Sequence, residues 1–223
     1  MRHTVAARDA NIRDAVVAFK RERIVEAAAT LFYENGYEST TLDAVADRLG
    51  VRKPFIYSYF KSKSDLLAEI CARGIASSLA AMDRAVAASP SPTGKLAALG
   101  REFLRAVLGS QPYIAIYARE EKNLERRDAR RIGDMRREFD HRLTELLEEG
   151  VKAGNFRVAD TRVASLAIGG MVSWAYVWYR PSGRLRLDDI AERMAELMLA
   201  MVGVASATNA PPATGAPRVR ARR

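Results

Sequence analysis

The sequence predicts an all-α protein of about nine helices, three forming a small amino-terminal head and the rest a larger body. Two observations carry this. Apolar residues recur along most of the chain at spacings of three and four, the period of one face of a helix. The breaks between these runs fall at Gly, Pro, Asn, Ser and Asp signals that stop or start helices, and no strand pattern and no internal repeat interrupts them. At 223 residues and 48% hydrophobic composition the chain can bury a substantial core.

Residues 1–18 are polar and mixed in charge, with Arg2, Arg8 and Arg13, and read as a flexible arm. The first firm helix follows, with Ile24, Ala27, Ala28, Leu31 and Phe32 on one face and Asn35-Gly36 at its end. Leu42, Val45, Ala46 and Leu49 form the buried face of a short second helix. Gly50 stands where a left-handed residue would end it. In a third helix, Val51 and Ile56 can pack inward, leaving Arg52, Lys53, Phe55, Tyr57, Ser58 and Tyr59 for the outer side. Ser62 and Asp65 give a start signal for a long fourth helix towards Val86. The segment from Ala88 to Gly94, ASPSPTG, breaks it, and a helix from about Lys95 to Leu108 carries Phe103 and Leu104 inward.

Gln111-Pro112 restarts the chain, and Tyr113, Ile116 and Tyr117 share a face. A charged helix then runs from Arg119 to Glu149, keeping Ile132, Met135, Phe139, Leu143, Leu146 and Leu147 as its stripe. Asp160 caps an apolar helix ending at Arg180-Pro181-Ser182-Gly183. Asp188 caps a last helix with Ile190, Met194, Leu197, Met198 and Met201 on one side. From about Ser206 the chain is rich in Ala and Pro and ends RVRARR, which reads as a disordered basic tail. The expected divisions are an arm over 1–18, a small helical domain over 19–65, a larger helical domain over 66–204, and a tail over 205–223.

Two short helices meeting at a glycine, followed by a basic, aromatic-rich segment, outline a helix-turn-helix. Thr41, Val45, Ala46, Gly50, Val51, Tyr57, Phe60, Lys63 and Leu66 fall at the spacing of the TetR-family signature, and the chain resembles that family. The strict motif covers residues 41–66, and the layout covers residues 20–203. Two positions depart from the usual pattern: Arg52 replaces a capping Ser or Thr, and Tyr59 a frequent His. Arg52 cannot accept a capping bond, so the third helix must start with the help of Pro54 in its first turn.

The resemblance implies a regulator that places its third helix in the major groove of double-stranded operator DNA. Arg52 or Lys53 would then bond guanine acceptors and Phe55 touch thymine methyls. Tyr57, Ser58, Tyr59, Lys63 and the Thr41 hydroxyl would lie at the same surface, largely to hold phosphates. It further implies a homodimer reading a palindrome, with the last two helices of each copy forming a four-helix bundle. Leu166, Gly170, Ser173 and Val177 would supply one ridge, and Met194, Leu197, Met198 and Met201 the other.

The body of such a protein usually holds a small-molecule effector. Phe103, Tyr113, Tyr117, Met135, Phe139, Met171, Trp174 and Trp178 are candidates to line that cavity, though any of them can equally be core. The pieces YAREEKNL (Tyr117 to Leu124) and WAYVWYRPSGRL (Trp174 to Leu185) resemble family members that respond to acyl-CoA thioesters in fatty-acid, sterol or aromatic-acid catabolism. Arg119, Arg127, Arg130 or Arg137 would then face CoA phosphates, or form a solvated face balanced by neighbouring acids. A hydrophobic or drug-like effector is the alternative, and a helical protein-interaction scaffold is the alternative from another class.

The net charge is +9, but the excess of Lys and Arg over Asp and Glu is one in residues 1–70, four in 71–203 and four in 204–223. Attraction to phosphate must therefore come from where the charges sit. Cys71 stands alone, so no intramolecular disulfide or cysteine metal cluster is available and a cytoplasmic location is expected. The amino terminus lacks a signal-peptide core. Val163 to Tyr179 is uncharged but short for a membrane span, and a buried helix is the expected outcome. With His3 and His141 the only histidines and no phosphate loop or metal-ligand spacing, no enzyme, cofactor or metal is expected.

Overall fold

No proline or glycine interrupts residues 2–35, and in the computed structural model that whole stretch is one helix, α1 (Arg2–Asn35). The structure describes residues 2–204, with side chains from Ile12 onward. The segment read as an arm is thus helical from Arg2. It is rich in alanine and carries no residue that stops backbone bonding, although Ile12, Val16, Val17 and Phe19 remain exposed along it. The basic tail expected over residues 205–223 lies outside the described residues.

The rest of the head follows as expected. Helix α2 (Leu42–Leu49) starts at Thr41, whose hydroxyl accepts from the Ala44 amide, and stops at Gly50, whose φ of 66° is the left-handed conformation that favours glycine. The recognition helix α3 (Lys53–Tyr57) is short and its start at Arg52 has no side-chain cap, so Pro54 in its first turn presets the helical φ. Helix α4 (Lys63–Ala88) is capped by Ser62, which accepts from the Asp65 amide, while Asp65 accepts in return from the Lys61 amide. Ile24, Ala28, Phe32, Val45, Ile56, Leu66 and Ile70 from these four helices, with Phe60 from the turn between α3 and α4, close one core.

The body adds α5 (Pro92–Gly109), α6 (Gln111–Glu120), a single 3₁₀ turn (Glu121–Asn123), α7 (Arg126–Lys152), α8 (Thr161–Ser173), the one-turn α9 (Ala175–Trp178) and α10 (Leu187–Met201). Counting α8 and α9 as one path bent at Trp174 gives the nine helices expected, and no strand occurs among the described residues. A second core is built by Met82, Leu96, Leu99, Phe103, Leu104, Leu143, Leu147, Ile168, Val172 and Met198.

Three boundaries differ from the sequence reading. Ser91 accepts from the Gly94 amide, so α5 begins at Pro92, where a proline is tolerated in the first turn. The charged helix is not continuous from Arg119, because the 3₁₀ turn and Leu124 interrupt it before Arg126. The last helix begins after Arg186 rather than after Asp188. Asp189 accepts from the Arg186 amide across the first turn.

The apolar helix is also not fully buried. Ser165, Ile168 and Val172 face inward, whereas Val163, Leu166, Trp174, Val177 and Trp178 are exposed. No helix among the described residues is long and apolar enough to cross a membrane.

Helices α5 and α10 approach so closely at Gly100 that a Cβ there would lie 2.5 Å from Ala195 Cα. That contact is backbone and cannot swing aside. Gly100→Ala is therefore expected to destabilise the protein by about 1–3 kcal/mol through overpacking, measured by urea denaturation. An unchanged midpoint would mean that the two helices are free to separate.

Candidate DNA interface and effector cavity

The helix-turn-helix presents Arg52, Lys53, Tyr57 and Ser58 to solvent, as the sequence suggested. The amino-terminal ends of α2 and α4 and the side of α3 surround a shallow depression lined by Thr41, Asp43, Lys53, Tyr57, Lys61 and Lys63, among others. Two helix amino termini and three ammonium groups make this face attractive to anions, though net charge is small. Lys61 and Asp43 were not anticipated there. Asp43 bonds the Lys53 ammonium at 2.8 Å, and this hydrogen bond raises the lysine pKa and keeps it charged.

The other candidates are more committed to the fold. Lys63 donates to the carbonyls of Tyr37 and Glu38 at 2.9 and 3.3 Å and lies 4.2 Å from the Tyr37 ring centroid, closing the turn after α1. Phe55 and Tyr59 are half-buried against each other, with ring centroids 5.2 Å apart. The Tyr59 carbonyl accepts from Arg21, whose other nitrogen reaches Glu69 on α4. Burial opposes ionisation of Glu69, but hydrogen bonds from Arg21 and Arg73 outweigh it and hold the carboxyl below its ordinary range. Ser58 donates to the Phe55 carbonyl, and Thr41 caps α2.

In the body, α4, α5, α6, α7 and α8 line a cavity of about 460 Å³ that is open to solvent on one side. Of the candidate residues, Phe103, Tyr117, Phe139 and Trp174 line it. Met135 and Tyr113 pack on the head core, Met171 on the body core, and Trp178 is exposed. These four are corrected, because they do not reach the cavity: Tyr113, Met135 and Met171 are taken up by packing one turn away from the lining residues, and Trp178 faces solvent. Sequence reasoning missed Ile75 and Ser78 of α4, and the polar lining groups Glu121, Arg136 and Asp140. Ser78, a polar residue in the apolar stripe of α4, was the available signal.

Burial raises the Asp140 pKa against the pull of Arg136 and Arg162, and burial with Glu121 nearby raises that of Tyr117. The four arginines proposed for phosphate lie elsewhere. Arg119 lines a separate cleft, Arg137 pairs with Asp134 beside another, and Arg127 and Arg130 are exposed.

Comparison with known proteins fits this geometry. Residues 24–70 match the model of bacterial regulatory proteins of the tetR family, and residues 89–202 match that of the tetracyclin repressor-like C-terminal domain. The chain belongs to the TetR family.

The HTH-type transcriptional repressor KstR2 of Rhodococcus jostii (strain RHA1) is 32% identical over 193 residues, covering 85% of this chain and 93% of the relative. PfmR, a TetR-family regulator from Thermus thermophilus, superposes with a TM-score of 0.75 at 30% identity, over 80% of this chain and 97% of its own. AibR, solved with isovaleryl coenzyme A and operator DNA, superposes with a TM-score of 0.71 at 26% identity, over 83% and 98%. The chain is a DNA-binding transcriptional regulator of this family and not an enzyme.

The dimer residues expected of a TetR-family protein divide in the structure. Leu166, Val177, Leu197 and Met201 are exposed. Met194 and Met198 are corrected, because they are buried in this chain's own core. Gly170 and Ser173 also border the cavity.

Lys63→Ala should cost about 1 kcal/mol of stability in denaturant titration, the scale of a partly exposed hydrogen bond to a charged group. No loss would show that the ammonium is free for other work.

Proposed function

We propose that this protein is a homodimeric repressor that holds a palindromic operator with paired heads and lets go when an acyl-CoA thioester fills its body. The observation that carries the proposal is the position of the cavity. It rests on Ile75 and Ser78 of α4: Ile75 is the last residue through which that helix fills the head core, and Ser78 lies one turn beyond it. A ligand that favours one tilt of α4 shifts the population of head spacings, and only that differential affinity can move DNA.

The volume is within the range of about 300–1,000 Å³ common for small-molecule sites, and most of the lining is apolar, as an acyl chain requires. The complex of AibR with isovaleryl coenzyme A supports the thioester class at this level of likeness. The exposed residues Leu166, Trp174, Val177, Leu197 and Met201 support a dimer face on α8, α9 and α10, because large apolar side chains gathered on neighbouring elements call for a partner. In the head, Arg52 is the leading base reader, with Thr41, Tyr57 and Lys61 holding phosphate. A drug-like cation is the second reading, favoured by the Glu121 and Asp140 carboxyls in the cavity wall.

Fluorescence anisotropy with promoter fragments tests this. Binding should weaken steeply with salt, and Arg52→Ala should lose about 1–3 kcal/mol and tolerate substitution at one base pair. Acyl-CoAs should release the DNA and raise the melting temperature of the free protein by mass action. Release by hydrophobic cations with no response to any thioester would favour the second reading.

A further inference from the structure

A cleft of about 410 Å³ lies beside the effector cavity, lined by Tyr33, Gln111, Arg119, Tyr176, Tyr179 and Arg180, among others. It differs from the cavity in chemistry. Its walls are tyrosine rings and its charges are guanidinium groups, with no carboxylate among its lining residues. Arg119 stands 5.5 Å from the Tyr33 ring centroid, and neither Arg119 nor Arg180 has a carboxylate partner within salt-bridge distance among the described residues. Arg180 donates through one nitrogen to the carbonyls of Val177 and Tyr179, which folds it over the cleft and leaves its other donors unused. Gln111 bonds the Tyr176 carbonyl at 2.8 Å and fixes the partition between the two spaces, since Tyr176 lines both.

We infer that this cleft is the seat of an adenosine phosphate: the purine stacks on tyrosine, and Arg119 and Arg180 hold the phosphates. Guanidinium groups suit phosphate through paired, charge-assisted hydrogen bonds, and an aromatic face accepts any base. The inference deepens the thioester reading and rests on it for one point, that the acyl end of the same molecule lies across Tyr176 in the cavity. Tyr33 belongs to α1 of the head, whereas Arg119, Tyr176, Tyr179 and Arg180 belong to the body. A molecule seated here touches both halves of the protein, so its contacts depend on their relative tilt.

The other basic depression, lined by Arg137, Asp140, His141, Thr144 and Arg162 among others, is the competitor. Its charges are largely answered within the chain, since Arg137 pairs with Asp134, His141 with Glu145, and Asp140 lies inside it.

The test is calorimetric titration of the dimeric protein with three probes: hexanoyl-CoA, hexanoyl-N-acetylcysteamine, which lacks the nucleotide, and adenosine 3′,5′-bisphosphate. The inference expects the bisphosphate to bind by itself and hexanoyl-CoA to bind at least tenfold tighter than the truncated thioester. Arg119→Ala/Arg180→Ala should abolish the first and erase the second while leaving the truncated thioester's affinity unchanged. Arg137→Ala/Arg162→Ala should alter neither. Bisphosphate binding that survives the first pair, or is lost with the second, overturns the inference, as does no bisphosphate binding at all. Bisphosphate binding that depends on Arg119 and Arg180, with hexanoyl-CoA bound no tighter than the bisphosphate and the truncated thioester not bound at all, upholds the cleft and sinks the thioester reading instead.

Discussion

One helix belongs to two cores, and the behaviour of the molecule depends on that constraint. The first turns of α4 contribute Leu66, Leu67, Ile70, Cys71 and Ile75 to the head core, and its last turns contribute Ala81, Met82 and Ala85 to the body core. A helix rises about 1.5 Å per residue and resists bending, so neither core can shift it without the other feeling the displacement. The effector cavity meets α4 where these two sets adjoin, at Ile75, which ends the first, and at Ser78, which lies between them. Packed interiors have little room to yield, and filling such a cavity therefore selects among a few arrangements.

Electrostatics fixes the lower joint. Arg73 on α4 bonds Glu22 of α1 and Glu69 of its own helix, and Arg21 of α1 bonds Glu69 and the Tyr59 carbonyl while lying 4.2 Å from the Phe60 ring centroid. These bonds tie α1, the end of the reading element and α4 into one unit. Any tilt of α4 must carry the recognition helix with it. The exposed part of α3 is then left with few internal duties: the Arg52 side chain makes no hydrogen bond or ion pair among the described residues, and Lys53 answers Asp43 and lies 5.9 Å from the Tyr57 ring centroid.

Much of this was legible in the sequence, because the head obeys local rules. Gly50 had to end α2, Ser62 and Asp65 had to start α4, and Arg52 could not cap α3, which Pro54 begins instead. Periodicity failed where tertiary contacts decide. Met194 and Met198 share a helical face with Ile190, and nothing in their spacing shows that the face meets α5 and not a second subunit. For the same reason, four of eight aromatic and Met candidates fell outside the cavity, and the two α4 residues that floor it were overlooked. The extension of α1 back to Arg2 escapes a reading in which polarity stands for disorder, although alanine without breakers is enough for a helix.

The account stands on the coupling of cavity to heads through α4, and the distance between heads measures it. Asp47 is exposed on α2 and, changed to Cys, accepts a spin label. The native Cys71 is buried, with its thiol pushed up to about 12, and is spared for lack of thiolate. Pulsed dipolar spectroscopy on the labelled Asp47→Cys dimer, without DNA, should show the interhead distance distribution move on saturation with an acyl-CoA that releases the operator. An unchanged distribution under conditions where DNA is released would contradict the coupling.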